Sequence, residues 1–189
     1  MPKVSLEAHE DIALLRLNNG VINAISPEML NDLATELKRI RNEFKGMVLA
    51  GSDKFFSIGL DLPHLLQLSR AEMTNFYAAL NEVLLDLYTQ PLPTASAIGG
   101  HATAGGAVLA VGTDFRFVAE GRKLIGFNEV KIGLAVPALA DLILRQIIGD
   151  RRATEMVFGG DFLEPEQSLE TGLVDAVVTS EDLEKEAVA

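Results

Sequence analysis

Apolar and polar residues alternate in two short runs between Val4 and Leu17, broken at Glu10-Asp11, a pattern that predicts a hairpin of two strands. Ser26-Pro27-Glu28 has the chemistry of a helix start: a side-chain cap, a proline in the first turn and an acid near the positive dipole end. Met29, Leu33, Leu37, Ile40 and Phe44 then recur at helical spacing, Gly46 is expected to stop the helix, and Met47 to Ala50 reads as a short buried strand. A glycine- and serine-punctuated loop is expected from Gly51 to Asp61. A long amphipathic helix follows from about Arg70 to Tyr88, closed by Pro91 and Pro93. Its stripe of Phe76, Tyr77, Leu80, Leu84 and Leu87 is a core-facing pattern.

Downstream, Thr94 to Ile98 reads as a small-residue strand. Gly99-Gly100 and Gly105-Gly106 bracket a turn into an apolar helix over Ala107 to Val111. Phe115 to Val118 and Lys123 to Ile125 have strand character, and a helix is expected from Pro137 to Gly149. The tail from Glu164 alternates short helical pieces with the strand-like Leu173 to Val178. Strands and helices alternate throughout with no repeat or linker, so the class is α/β and residues 1–189 form a single domain.

Composition narrows the function classes. With 48% hydrophobic and 23% charged residues, the 189-residue chain reads as an ordinary globular protein without a membrane-spanning run or a secretory signal. A net charge of −11 and the lack of any basic, aromatic-interleaved stretch argue against nucleic acid as a partner. Cysteine is absent, which excludes disulfides, thiol nucleophiles and thiolate metal sites and fits a cytoplasmic setting. His9, His64 and His101 are too scattered for a metal site, so no metal is expected.

Candidate chemistry lies in two loops where glycine meets the end of a strand: Phe55-Phe56-Ser57-Ile58-Gly59-Leu60-Asp61 and Gly99-Gly100-His101-Ala102-Thr103-Ala104-Gly105-Gly106-Ala107. Glycine permits close backbone approach, and a helix N-terminus leaves N–H groups unpaired. Two such groups aimed at one point would hold a carbonyl oxygen as negative charge develops on it. A hydrolytic triad of Ser57, His101 and Asp114 matches no template, since no Gly-x-Ser-x-Gly elbow exists.

These two loops, their separation and the stretch Phe127-Asn128-Glu129-Val130-Lys131-Ile132-Gly133-Leu134 resemble the signature of the crotonase (enoyl-CoA hydratase/isomerase) superfamily. Leu17 to Ser26, with Asn23-Ala24-Ile25, resembles its opening segment, where a loop borders the CoA adenine. Gly172-Leu173-Val174-Asp175 resembles the stretch after its catalytic region. The resemblance implies a crotonase-like spiral of β-β-α units with flanking helices, and a homo-oligomer, a trimer or hexamer. It implies an acyl-CoA substrate, coenzyme A entering as part of that substrate with no other cofactor.

Carried over by position, the resemblance makes the N–H groups of Leu60 and Gly105 the oxyanion donors and Glu129 the proton-transferring acid. Ala24, Ile58, Gly59, Asp61, Gly106, Val108 and Asn128 are its substrate-binding positions here. Hydratases of this superfamily carry a second glutamate three residues after the Gly105 position, where this chain has Val108. One carboxylate suits moving a proton rather than adding water, and the run Ile125 to Glu129, like Val136-Pro137, resembles the isomerases more than the hydratases. The expectation is therefore a shift of an enoyl-CoA double bond in fatty acid metabolism. The alternatives are another reaction of the superfamily (hydration, thioester hydrolysis, decarboxylation) or a silent acyl-CoA-binding oligomer. Glu181 to Ala189 leaves room for one short acidic helix, so the C-terminal helical region is expected to be shortened relative to the superfamily.

Overall fold

A computed structural model describes residues 2–189. The expected hairpin is β1 (Val4–His9) and β2 (Ile12–Leu17), paired antiparallel with Val4 opposite Leu17. Helix α1 (Pro27–Glu43) starts where the sequence places it, with the Ser26 hydroxyl accepting from Met29 N at 3.3 Å. It buries Met29, Leu30, Leu33, Leu37 and Ile40 on one face. It stops because Phe44 turns extended, not at Gly46. Gly46 instead opens β3 (Gly46–Ala50), where a Cβ would meet Ile12 Cδ1 at 2.7 Å.

The remaining strands fall into a repeating order. β3 joins a large sheet, β4 (Phe55–Ser57) a small one, and α2 (Leu62–Leu65) and α3 (Arg70–Tyr88) follow. β5 (Thr94–Ile98) returns to the large sheet, β6 (His101–Thr103) to the small one, and α4 (Gly105–Val111) follows. β7 (Phe115–Ala119) and β8 (Ile125–Gly126) repeat the step, leading into a 3-10 turn (Glu129–Ile132) and α5 (Ala138–Ile148). Successive β-β-α units therefore lay one strand into each sheet, which is the spiral that the resemblance implied. The large sheet runs β1-β2-β3-β5-β7 and then β9 (Ala176–Val178), parallel from β2 onward, and the small sheet β4-β6-β8 is parallel throughout.

Several boundaries differ from the sequence expectations. The loop expected over Gly51 to Asp61 contains β4 and leads into α2, and the turn expected between Gly99-Gly100 and Gly105-Gly106 contains β6. These strands are three residues long, too short for alternation to show, and they form because each finds a partner edge. The apolar helix starts at Gly105 rather than Ala107, and β8 lies at Ile125–Gly126 rather than over Lys123 to Ile125. Gly149 ends α5 as expected, but a further helix, α6 (Asp150–Gly159), begins beside it. The tail forms α7 (Pro165–Thr171), β9 (Ala176–Val178) and α8 (Leu183–Val188), with only the end of the strand-like Leu173 to Val178 extended.

The main core lies where α1, α3, α4 and α5 meet the sheets. Phe76, Leu80, Leu84 and Leu87 are buried in it, while Tyr77 is half-buried. The opposite face of the large sheet carries Leu14, Val48, Ala50, Ala95, Ala97 and Ala119, covered by Leu183 of α8. Gly172 to Asp175 is tied down by Arg116, whose Nε donates to Leu173 O at 2.9 Å, while Asp175 Oδ2 accepts from Arg116 N at 2.7 Å. That segment of the signature is thus an anchor for β7. No helix among the described residues is long and apolar enough to cross a membrane.

Candidate active site at the ends of three parallel strands

Because β4, β6 and β8 run parallel, their C-terminal ends lie along one edge of the small sheet. The three groups singled out in the sequence follow directly: Leu60 is three residues past β4, Gly105 two past β6 and Glu129 three past β8. Pairing of Thr103 with Gly126, and a 2.9 Å hydrogen bond from Ala104 N to Gly126 O, hold the second and third exits together.

The first two exits touch through their glycines. Gly59 has a φ of 95°, and a Cβ there would stand 2.8 Å from Gly105 N and 2.9 Å from Ala104 Cβ. On Gly105 a Cβ would meet Gly59 Cα at 3.1 Å, and on Gly106 one would fall 2.1 Å from Ser57 O. Only hydrogen in place of a side chain lets the two backbones approach this closely.

Hydrogen bonding along these loops is selective. Ile58 N donates to Ile22 O at 3.2 Å, Gly59 N to Ser57 Oγ at 3.1 Å, and Asp61 N to Ile25 O at 3.0 Å. Gly59 O accepts from Ile25 N at 2.8 Å. The N–H groups of Leu60 and Gly105 have no acceptor among the described residues. Two backbone donors left free in touching loops are what a developing oxyanion requires.

Asn23 and Ser57 brace the arrangement. Buried Asn23 takes a φ of 48°, a conformation asparagine tolerates, and its side chain accepts from Asn19 N and donates to Phe55 O. Ser57 Oγ donates to Asn23 O at 2.7 Å. Ala24 is buried beside them, its carbonyl accepting from Asn19 Nδ2 at 2.6 Å. Asp61 caps α2 by accepting from His64 N at 3.3 Å.

Glu129 opens the 3-10 turn and is only 6% exposed. Its Oε2 has no hydrogen-bond partner, and burial raises its pKa above the ordinary glutamate value, with its own backbone N–H acting in the opposite direction. Lys131, two residues further on, does not pair with this carboxylate, because its Nζ pairs with Asp161 at 2.7 Å. Asn128 is half-buried and makes no hydrogen bond to Glu129. Beside the turn, Val130, Leu134 and Val136 begin an open, mostly apolar cavity of about 460 Å³. A buried, unpartnered carboxylate of raised pKa is a candidate acid–base group on physical grounds.

Val108 is fully buried in α4, one turn past Gly105, and offers no proton. The Ser57, His101 and Asp114 side chains are committed elsewhere. Ser57 bonds Asn23, Asp114 accepts from Thr94, and His101 Nδ1 accepts from Leu124 N at 2.9 Å. Sequence reasoning missed Ala104, the residue between the two exits, because nothing in an alanine's identity announces its φ of 51°.

The fold and the sequence pattern recur in known proteins. The Enoyl-CoA hydratase/isomerase family profile matches residues 7–189. Human mitochondrial enoyl-CoA delta isomerase 1 is 33% identical over 98% of this chain, which spans 63% of that relative's length. A probable enoyl-CoA hydratase of Mycobacterium avium is 31% identical over 94% of the chain and 70% of its own length. The crystal structure of human mitochondrial delta3-delta2-enoyl-CoA isomerase superposes with a TM-score of 0.93 at 32% identity, over 98% of this chain and 74% of that one. With strand order, spiral and profile in agreement over nearly its whole length, this chain belongs to the enoyl-CoA hydratase/isomerase family.

Proposed function

We propose that the protein shifts the double bond of an enoyl-CoA, using Glu129 as the only proton shuttle and the N–H groups of Leu60 and Gly105 as an oxyanion hole. The observation that carries this reading is a buried carboxylate without a partner on the same sheet edge as two unpaired backbone donors, with valine in the second acid's position. For a 3-enoyl-CoA, the Glu129 carboxylate removes a proton from C2. The electron pair delocalises through the double bond and the thioester, and the oxygen that gains charge sits between the two N–H groups. Glu129 then returns the proton to C4, leaving the conjugated 2-enoyl-CoA. Proton count and charge balance across the two steps, and no water is consumed.

Incubation of the protein with a 3-enoyl-CoA, followed by absorbance of the conjugated product, tests the reading. Conjugation at a catalysed rate is the expected result. None across several chain lengths, with CoA thioester binding intact, would leave a different thioester reaction or a silent binder. The role of Leu60 carries its own expectation. Since its main chain donates and its side chain only shapes the surroundings, Leu60→Ala should keep kcat within roughly threefold of the parent, against the 100-fold or more typical for loss of an oxyanion donor. A loss on that larger scale would place the function of Leu60 in its side chain.

A further inference from the structure

Three described residues other than glycine have positive φ: Glu10, Asn23 and Ala104. Glu10 lies in the tight turn of the β1–β2 hairpin, and Asn23 is of a type that accepts the left-handed region. Ala104 has neither excuse. Its φ of 51° and ψ of −123° fall outside the left-handed helical well, in a region kept almost entirely by glycine.

The surroundings impose this geometry from three sides. Ala104 N is pinned to Gly126 O at 2.9 Å, and Ala104 O accepts from Val108 N at 3.0 Å, which turns the carbonyl along α4. In a trans peptide the N–H points opposite to the carbonyl, so Gly105 N–H is directed off the start of α4. The third constraint is the methyl group, whose carbon stands 2.9 Å from the point where a Gly59 Cβ would lie. The methyl thus occupies the hollow left by the missing side chain of Gly59, and Gly59 immediately precedes Leu60.

We infer that Ala104 is a positioning residue, its methyl keyed against Gly59 to fix the separation and direction of the Leu60 and Gly105 N–H groups. This rests on the reading of those groups as an oxyanion hole and adds what holds them in register. Glycine at position 104 would adopt the same φ and ψ with less strain, yet it would leave the hollow at Gly59 unfilled and the 104–105 peptide freer to rotate. The strained alanine is a structural cost that a merely packed turn would have no need to keep.

The test is a three-protein comparison on a 3-enoyl-CoA, with thermal unfolding in parallel. Ala104→Gly should unfold at the same temperature as the parent or higher, while its kcat falls roughly tenfold with KM little changed, a fraction of the effect of removing a donor outright. Ala104→Ser keeps a Cβ in the hollow and should recover most of that loss. A split between kcat and KM, with stability preserved, is not what a purely structural residue would give. Parental kcat in Ala104→Gly would overturn the inference and leave the oxyanion reading standing. A fall in kcat that Ala104→Ser fails to recover would also overturn the keying role. A parent protein that neither turns over nor binds CoA thioesters would remove the oxyanion reading, and this inference with it.

Discussion

Glu129→Gln is expected to lower turnover of a 3-enoyl-CoA by about a thousandfold, within the range ascribed to a positioned acid–base group, while leaving the protein folded. Glutamine fills nearly the same volume and removes only the titrating oxygen. The pH dependence follows from burial, which raises the Glu129 pKa. As the working base Glu129 must be ionised, so kcat/KM should fall as pH drops through this raised value, at a higher pH than an exposed glutamate would give. Stability runs the other way. The folded state holds the proton more tightly than the unfolded state, so stability declines as pH rises from the ordinary glutamate value through the raised one. At neutral pH Glu129→Gln should accordingly unfold at the same temperature as the parent or higher, and the difference should vanish in acid. A glutamine variant with half the parental rate would mean that the base lies elsewhere. One that is inactive and also markedly less stable at neutral pH would mean that Glu129 is structural.

How much of this was legible in the sequence depended on the length of each signal. Helix α1 announced itself through capping chemistry and an apolar stripe, and α3 through its stripe and the prolines beyond it; α3 begins and ends at the residues expected. Two strands of the small sheet did not announce themselves. Phe55–Ser57 and His101–Thr103 are too short to show a period, and their identity as strands comes from pairing, while the third, Ile125–Gly126, overlaps the strand expected over Lys123 to Ile125 only at Ile125. Helix α6 was hidden because Gly149, with a φ of 82°, both ends α5 and precedes Asp150, so a stop signal masked a start.

The site was legible for a different reason. Glycines forced by close approach, such as Gly59, Gly105 and Gly106, leave a mark in sequence because no other residue fits. The freedom of the Glu129 carboxylate leaves none. It depends on Lys131 being drawn to Asp161, thirty residues away, and on burial by groups that only the fold assembles. Ala104 is the extreme case, a common residue whose backbone conformation alone carries the information.

Gly59→Ala should cost both stability and catalysis, and the two losses have separable origins. A φ of 95° alone costs a residue with a Cβ about 1–2 kcal/mol. The added methyl would also stand 2.8 Å from Gly105 N and 3.2 Å from Thr103 O, both backbone atoms that cannot swing aside as a side chain would. Overpacking of that kind adds about 1–3 kcal/mol, a total that a domain stable by about 5–15 kcal/mol survives with a melting temperature lower by roughly 10 °C. The catalytic loss comes from the direction of the push, which drives the Leu60 and Gly105 donors apart and should lower kcat by 100-fold or more, comparable to losing a donor. Gly121→Ala separates the two effects. Gly121 also has a positive φ, 84°, but a Cβ there meets nothing within 4 Å. That variant should lose about 1 kcal/mol and keep parental kcat. If Gly59→Ala behaves like Gly121→Ala, slightly less stable but fully active, the contact between the two loops does not set the geometry of the site. If it unfolds little more than Gly121→Ala yet loses turnover, the loss is one of donor alignment, and the close approach of Gly59 to Gly105 is part of the catalytic apparatus.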